Sequence, residues 1–240
     1  MRLLALFLGL VLILSPAPAT EAFPKDLASE LDGVLARYAA AVPVQRQAML
    51  GVNMMVEYEA QFPELHEQGR WRLRRMISKL GEVTFKPVTA FVGDDRVRKE
   101  LIVRTMEEEQ TEKAYGAFSV TAADYKFSIN AIKKWQSRKV YVYDVTPKRK
   151  APGLFEGQVE IDGETGMPLR ETGKLVKSPH WILSNVRFSR EYELRNGIAV
   201  VRDFETQATV RLGIGHAHVV AHYSEFEPAV EQPVAQERAL

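Results

Sequence analysis

Three of the chain's five histidines fall within residues 213–222, read as GIGHAHVVAH. Imidazole is the commonest metal ligand, and a bound metal would bring hydrolytic chemistry. Spacing argues against one shared ion. A strand rises about 3.3 Å per residue, which puts His216 and His222 roughly 20 Å apart. Ligand bonds near 2 Å cannot bridge that gap. His216 and His218 are left as a candidate pair, and they would need a ligand from another strand. The polar face of a strand accounts for all three histidines more simply.

Other chemistry is sparse. The sequence has no nucleophile elbow, no H-E-x-x-H pair, no phosphate loop and no dinucleotide fingerprint, so neither an enzyme nor a cofactor is expected. Asp203, Glu205 and Glu225 are spread along one region and read as solvated carboxylates. Cysteine is absent, which excludes thiol chemistry, disulfides and a lipid-modified N-terminal cysteine. Basic residues cluster at Arg70, Arg72, Arg74 and Arg75 and again at Lys148, Arg149 and Lys150. Both runs suit anionic lipid headgroups or a solvated face. A net charge of +1 argues against nucleic acid.

The N-terminus carries an address. Arg2 precedes an apolar run from Leu3 to Leu14, followed by Ser15-Pro16-Ala17-Pro18-Ala19. This has the layout of a secretory signal cleaved after Ala19, and the run is short for a membrane span. Export to a periplasm or extracellular space follows. An exported chain without disulfides must be held by its core.

Asp26–Ala41 repeats apolar residues at helical spacing (Leu27, Leu31, Val34, Leu35, Tyr38), with Asp26 as N-cap and Pro43 beyond its end. From residue 50 onward, alternation and β-branched residues predict about eleven strands. They are Val52–Ala60, Trp71–Ser78, Val83–Phe91, Arg96–Arg104, Tyr125–Ile132, Lys139–Val145, Leu154–Ile161, Pro168–Val176, Val186–Leu194, Ile198–Leu212 and His216–Phe226. Thr105–Ala117 reads as a helix or a loop. Residues 1–19 form the signal, 20–228 one mainly β domain with an N-terminal helix, and 229–240 a flexible tail.

The hairpins can be paired by hand. A three-residue turn at Arg195–Gly197 sets Tyr192 opposite Val200 and Phe188 opposite Phe204. A turn at Gly213-Ile214 sets Val210 opposite Ala217, Ala208 opposite Val219 and Phe204 opposite Tyr223. In that register Arg202 meets Glu225, while His216, His218 and His222 oppose Arg211, Thr209 and Glu205 on the other face. A turn over Asp162–Gly166 sets Val159 opposite Leu169. One face is thus apolar throughout, and a slip of one residue would expose it. Many of its side chains are small (Ala208, Val210, Ala217, Val219, Ala221), so the helix or an apolar ligand must fill the concavity.

The single helix LASELDGVLARY and the stretch RKVYVYDVTPKRKAPGLFEGQVEIDGETGMPLR (138–170) resemble the periplasmic outer-membrane lipoprotein-sorting proteins, the LolA-like family. The resemblance implies a strongly curved antiparallel half-barrel with helices lidding its mouth. It also implies a non-enzymatic carrier of lipid or acylated lipoprotein, peripheral to membranes and monomeric. Val159, Leu169, Phe188, Tyr192, Phe204, Ala208, Val210, Val219 and Tyr223 would line its cavity. Family members carry a gating arginine, for which Arg37 is the candidate by its place on the helix. Segment 105–124 is longer and more acidic than the resemblance leads one to expect. The alternative reading is an envelope sensor or interaction module on the same fold, recognising a protein or surface polymer.

Overall fold

The computed structural model describes residues 25–112, 120–135, 137–178, 181–211 and 215–228. The proposed signal and its cleavage site, the tail, residues 113–117 of the acidic stretch, His180 and the Gly213-Ile214 turn lie outside them. The described residues include eleven strands: β1 (Val52–Phe62), β2 (Glu67–Ile77), β3 (Val83–Pro87), β4 (Val92–Gly93), β5 (Tyr125–Trp135), β6 (Arg138–Pro147), β7 (Phe155–Asp162), β8 (Pro168–Leu175), β9 (Leu183–Arg195), β10 (Ile198–Val210) and β11 (Gly215–Pro228). They form one antiparallel sheet in the order β3-β2-β1-β11-β10-β9-β8-β7-β6-β5, with β4 against β2. The sheet does not close, so β3 and β5 remain edges. Among the described residues the helical segments pack on one face of the sheet, as expected for a half-open barrel. No helix among the described residues is long and apolar enough to cross a membrane.

Helix α1 spans Lys25–Ala48 and so runs through Pro43. Proline removes one intrahelical hydrogen bond, yet the helix goes on because its last turn is anchored. The Gln45 amide donates to the Ala199 carbonyl and accepts from the Ala199 N–H, and both groups are buried. Val34 and Tyr38 pack with Tyr125, Tyr141, Tyr143, Val159 and Ile161, covering the β5–β8 half of the sheet. Glu30 accepts from Lys139 and Tyr141 at the helix's first turns.

The segment Arg96–Arg104, expected as a strand, is helical. It belongs to a continuous helical arm made of α2 (Asp95–Val97), a π-helical stretch (Arg98–Val103) and α3 (Arg104–Glu112). Val97, Leu101, Ile102 and Met106 recur at four- and five-residue spacing and seat the arm on Val56, Tyr58, Leu73, Val210, Ala217, Val219 and Ala221. Of the small inner residues, Val210, Ala217, Val219 and Ala221 are therefore covered by this arm, while α1 serves the other half. The expected strand Val83–Phe91 stops at Pro87, which lacks a donor to continue the ladder.

The hairpin registers differ from expectation in an instructive way. Asn196 and Gly197 have φ of 51° and 78°, a two-residue turn of the type antiparallel strands favour. The turn shifts Leu194 opposite Ala199, and a bulge at Val201/Asp203 then sets Phe188 opposite Thr206. In β10–β11, Ala208 faces Ala217 and Thr206 faces Val219; in β7–β8, Val159 faces Glu171. The Leu194 pairing differs from the hand pairing by one residue; past the bulge, the Phe188 pairing differs by two, as do those of Ala208 and Val159, which returns these side chains to their expected face. Arg202 bonds Glu191 and Asp203 instead of Glu225, which accepts from Arg72.

Candidate functional site

A transverse row of paired residues crosses the inner face: Tyr143, Val159, Glu171, Arg190, Phe204, Ala221, Tyr58, Trp71. Its ends lie under α1 and the helical arm. At its centre are two charges on an otherwise apolar lining. Arg190 donates to Glu171 at 3.1 Å, and its guanidinium lies 5.9 and 5.5 Å from the ring centroids of Phe188 and Phe204. Glu171 is buried. Burial outweighs the Arg190 charge and the Tyr192 hydroxyl, so its carboxyl sits above the ordinary carboxylate value. Tyr192 is held well above the usual phenol value, first by burial and then by the Glu171 charge.

The three phenylalanines beside this pair form a stack. Phe155 meets Phe188 edge-on at 4.8 Å, and Phe188 lies 6.4 Å from Phe204. The stack is possible because Gly157 pairs with Gly173: a Cβ on Gly173 would stand 2.4 Å from the Phe155 ring. Phe188, Phe204, Ala208 and Tyr223 remain half-buried, forming a seam between the core under α1 and the core under the arm.

A second polar cluster fastens the arm. Glu109 of α3 accepts from Arg75 at 2.7 Å, Tyr58 at 2.5 Å and Tyr223 at 3.0 Å. The side chains of Arg75 and Glu109 are only 11% and 20% exposed. Burial and the Glu109 charge push the Tyr58 and Tyr223 hydroxyls far above the usual phenol range.

The expected lining residues do share the inner face, but in three groups. Val210, Val219, Phe204 and Tyr223 belong with the arm, Val159 and Phe188 with α1, and Tyr192 with Met167 and Ala199. Leu169 is buried and Ala208 half-buried. Arg37 donates to the Gly163 carbonyl at 2.7 Å, tying α1 to the β7–β8 hairpin. The hairpin comes close there: Gly166, at φ 73°, would place a Cβ 2.6 Å from the Arg37 backbone.

The histidines lie on the outer face, each against a carboxylate. His216 pairs with Glu64 at 2.5 Å, His218 with Glu205 at 2.9 Å and His222 with Asp203 at 2.7 Å. The partner strand residues are Thr209, Gln207 and Asp203, two places from those expected. The His216 backbone N–H and then its ring hold Glu64 down to about 2. Burial opposes, yet bonds from Arg202 and His222 keep Asp203 below its ordinary value.

Cavities lined by described residues include a small one and a groove. One, near Val200 and Tyr223, is about 10 Å³, room for a single water. The other is an outer-face groove of about 390 Å³ lined by Glu59, Gln61, Gln68, Arg70, Val92 and His218 among others. On the inner face, α1 and the helical arm each cover one part of the concavity, with the half-buried seam between them.

Glu109, Arg190, Glu171 and the role of Arg75 escaped sequence reading. Arg75, Glu171 and Arg190 do stand at apolar-phase positions of their strands, which is a visible signal. Their partners come from other elements and are not.

No family model and no curated protein matches the chain. Among solved structures it is similar to a LolA superfamily protein from Nitrosomonas europaea, at 12% identity over 82% of this chain and 92% of that one, with TM-score 0.42. It is also similar to a putative outer membrane lipoprotein-sorting protein domain from Vibrio parahaemolyticus (12%, 85% and 94%, TM-score 0.47). A DUF1329 family protein from Desulfovibrio piger matches at 10% identity over 83% and 95% of the two chains, with TM-score 0.40. The likeness is one of fold.

Proposed function

We propose that the protein is an exported, periplasmic, non-catalytic carrier or binding protein for lipid or lipidated cargo, its guest held on the inner face of the sheet. The observation that carries this reading is the half-buried apolar seam of Phe188, Phe204, Ala208 and Tyr223, left between two helix-covered cores. Burying an acyl chain there gains about 0.8 kcal/mol per methylene, enough for affinity without directional chemistry. The conformation described is the closed one. A chain is admitted when the helical arm lifts from Val56, Tyr58 and Val219, and the Glu109 cluster is the fastening that must give way. Arg37, bound to Gly163, keeps α1 in place meanwhile.

Native mass spectrometry and uptake of a fluorescent fatty acid test this. Lipid is expected to co-purify, and Glu109→Ala is expected to raise uptake. A lipid-free spectrum with no uptake by wild type or variant would overturn the carrier reading and favour a module that recognises an envelope protein.

A further inference from the structure

The antiparallel order places the β6–β7, β8–β9 and β10–β11 connections at one end of the sheet. Residues 146–154, 176–182 and 211–214 contain Lys148, Arg149, Lys150, Lys177 and Arg211 and no acidic residue. The connections are knitted together: the Val176 N–H donates to the Leu154 carbonyl at 3.0 Å, and the Arg211 N–H to the Ile182 carbonyl at 2.9 Å. Strands about 4.8 Å apart put successive connections roughly 10 Å from each other, so the five cations share about 20 Å of rim. All five side chains are exposed. Trp181, beside the Ile182–Arg211 bond, is 67% exposed. Near this end Asp124 is engaged by Arg149 and Glu64 by His216, and the exposed Glu156 of β7 stands opposite Lys174, so cations outnumber acids along the rim. The opposite end differs, with Glu82 and Glu164 in its connections.

We propose that this rim docks the protein on an anionic lipid bilayer, with Lys150, Lys177 and Arg211 at the phosphates and the Trp181 indole at the headgroup level. Lysine and arginine near an anionic surface are attracted to it, and tryptophan prefers the water–hydrocarbon boundary. A net charge near zero makes the attraction depend on how the charge is distributed. This inference stands apart from the cargo reading, since a rim can dock whether or not the inner face takes a guest.

The test is co-sedimentation of the exported form, beginning at Thr20, with vesicles of phosphatidylcholine alone or with 30% phosphatidylglycerol. Binding is expected only to the anionic vesicles and should fall as salt is raised. Lys150→Glu with Lys177→Glu should weaken it about 25-fold or more, at roughly fivefold per cation. Lys86→Glu with Lys134→Glu, the same charge change away from the rim, should leave it unaltered. Brominated anionic lipid should quench the tryptophan fluorescence of the wild type and quench that of Trp181→Phe far less. No binding to anionic vesicles, equal binding to neutral ones, or equal loss in both double variants would each overturn the proposal.

Discussion

Removing the Glu109 carboxylate tests how the helical arm is held. Glu109→Ala strips one acceptor from three donors, Arg75, Tyr58 and Tyr223. Arg75 is the decisive one, because its side chain is 11% exposed and would be left a buried charge without this counter-ion. Breaking a buried pair from one side costs about 3–5 kcal/mol, and lost hydrogen bonds to the tyrosines fall within that range. Against a domain stability of about 5–15 kcal/mol the variant still folds. The cost falls on the arm, so amide exchange in Arg104–Glu112 should speed up by a factor of about 150–5,000, while β6–β8 under α1 should change far less. The second half of the test is Arg75→Met, which removes the charge together with its need for a partner. In that background Glu109→Ala should cost at least about 2 kcal/mol less, measured as a double-mutant cycle by urea denaturation. If the two substitutions add within about 0.5 kcal/mol, the cluster does not fasten the arm and the opening route proposed above fails with it.

Other substitutions probe the remaining contacts. Glu64 and Asp203 have folded values below their ordinary 4.5 and 3.8, so they contribute stability that is present above those values and lost as pH falls. The urea midpoint should drop from pH 4.5 toward pH 2, and Glu64→Gln should flatten the upper part of that slope. Gly166→Ala must fit a Cβ 2.6 Å from backbone at φ 73°, so it should lower Tm by the equivalent of about 2–4 kcal/mol, more than Gly197→Ala, which meets nothing within 4 Å. Gln45→Ala leaves the buried Ala199 N–H and carbonyl unpaired and should cost about 1–3 kcal/mol, with faster exchange beyond Pro43. Arg190→Met alone strands Glu171 and should destabilise by about 3 kcal/mol or more. Arg190→Met with Glu171→Leu should recover most of it, read from the same denaturation curves.

What the sequence disclosed follows from strand periodicity. Alternation has period two, so a hairpin register misjudged by two residues still sorts faces correctly. That is why Val159, Phe188, Phe204 and Val219 were placed on the inner side although their partners were wrong. The errors came from turns and bulges. Asn196-Gly197 makes a two-residue loop, and the bulge at Val201/Asp203 restores the phase that this loop removes. Arg96–Arg104 failed for a different reason. Its density of Val and Ile mimics a strand, whereas its apolar residues recur at four and five places, which a π-helical turn absorbs. Pro43 misled because a tertiary anchor at Gln45 overrides the local penalty. The site was less legible than the fold. Glu109 lies in an acidic run that reads as solvated, and only tertiary packing brings it under Tyr58.

The placement of charge on the inner face bears on what the fold is built to do. A buried ion pair generally contributes no more than well-packed apolar side chains of the same volume. Two such groups nevertheless interrupt the apolar lining, Glu109 with Arg75 on the arm and Glu171 with Arg190 at the centre. The first joins two elements, α3 and β2, that would separate in the proposed opening. The second joins adjacent strands, β8 and β9, that cannot part without breaking the sheet. The proposed opening would cost the first pair and spare the second, leaving Arg190 at the edge of the seam, paired with Glu171 and close to the rings of Phe188 and Phe204. On the carrier reading proposed above, a guest with an acidic head and an apolar tail is expected to suit the Arg190 guanidinium better than a neutral one. Uptake that is equal for a fatty acid and its methyl ester, in wild type and in Arg190→Met, would contradict it.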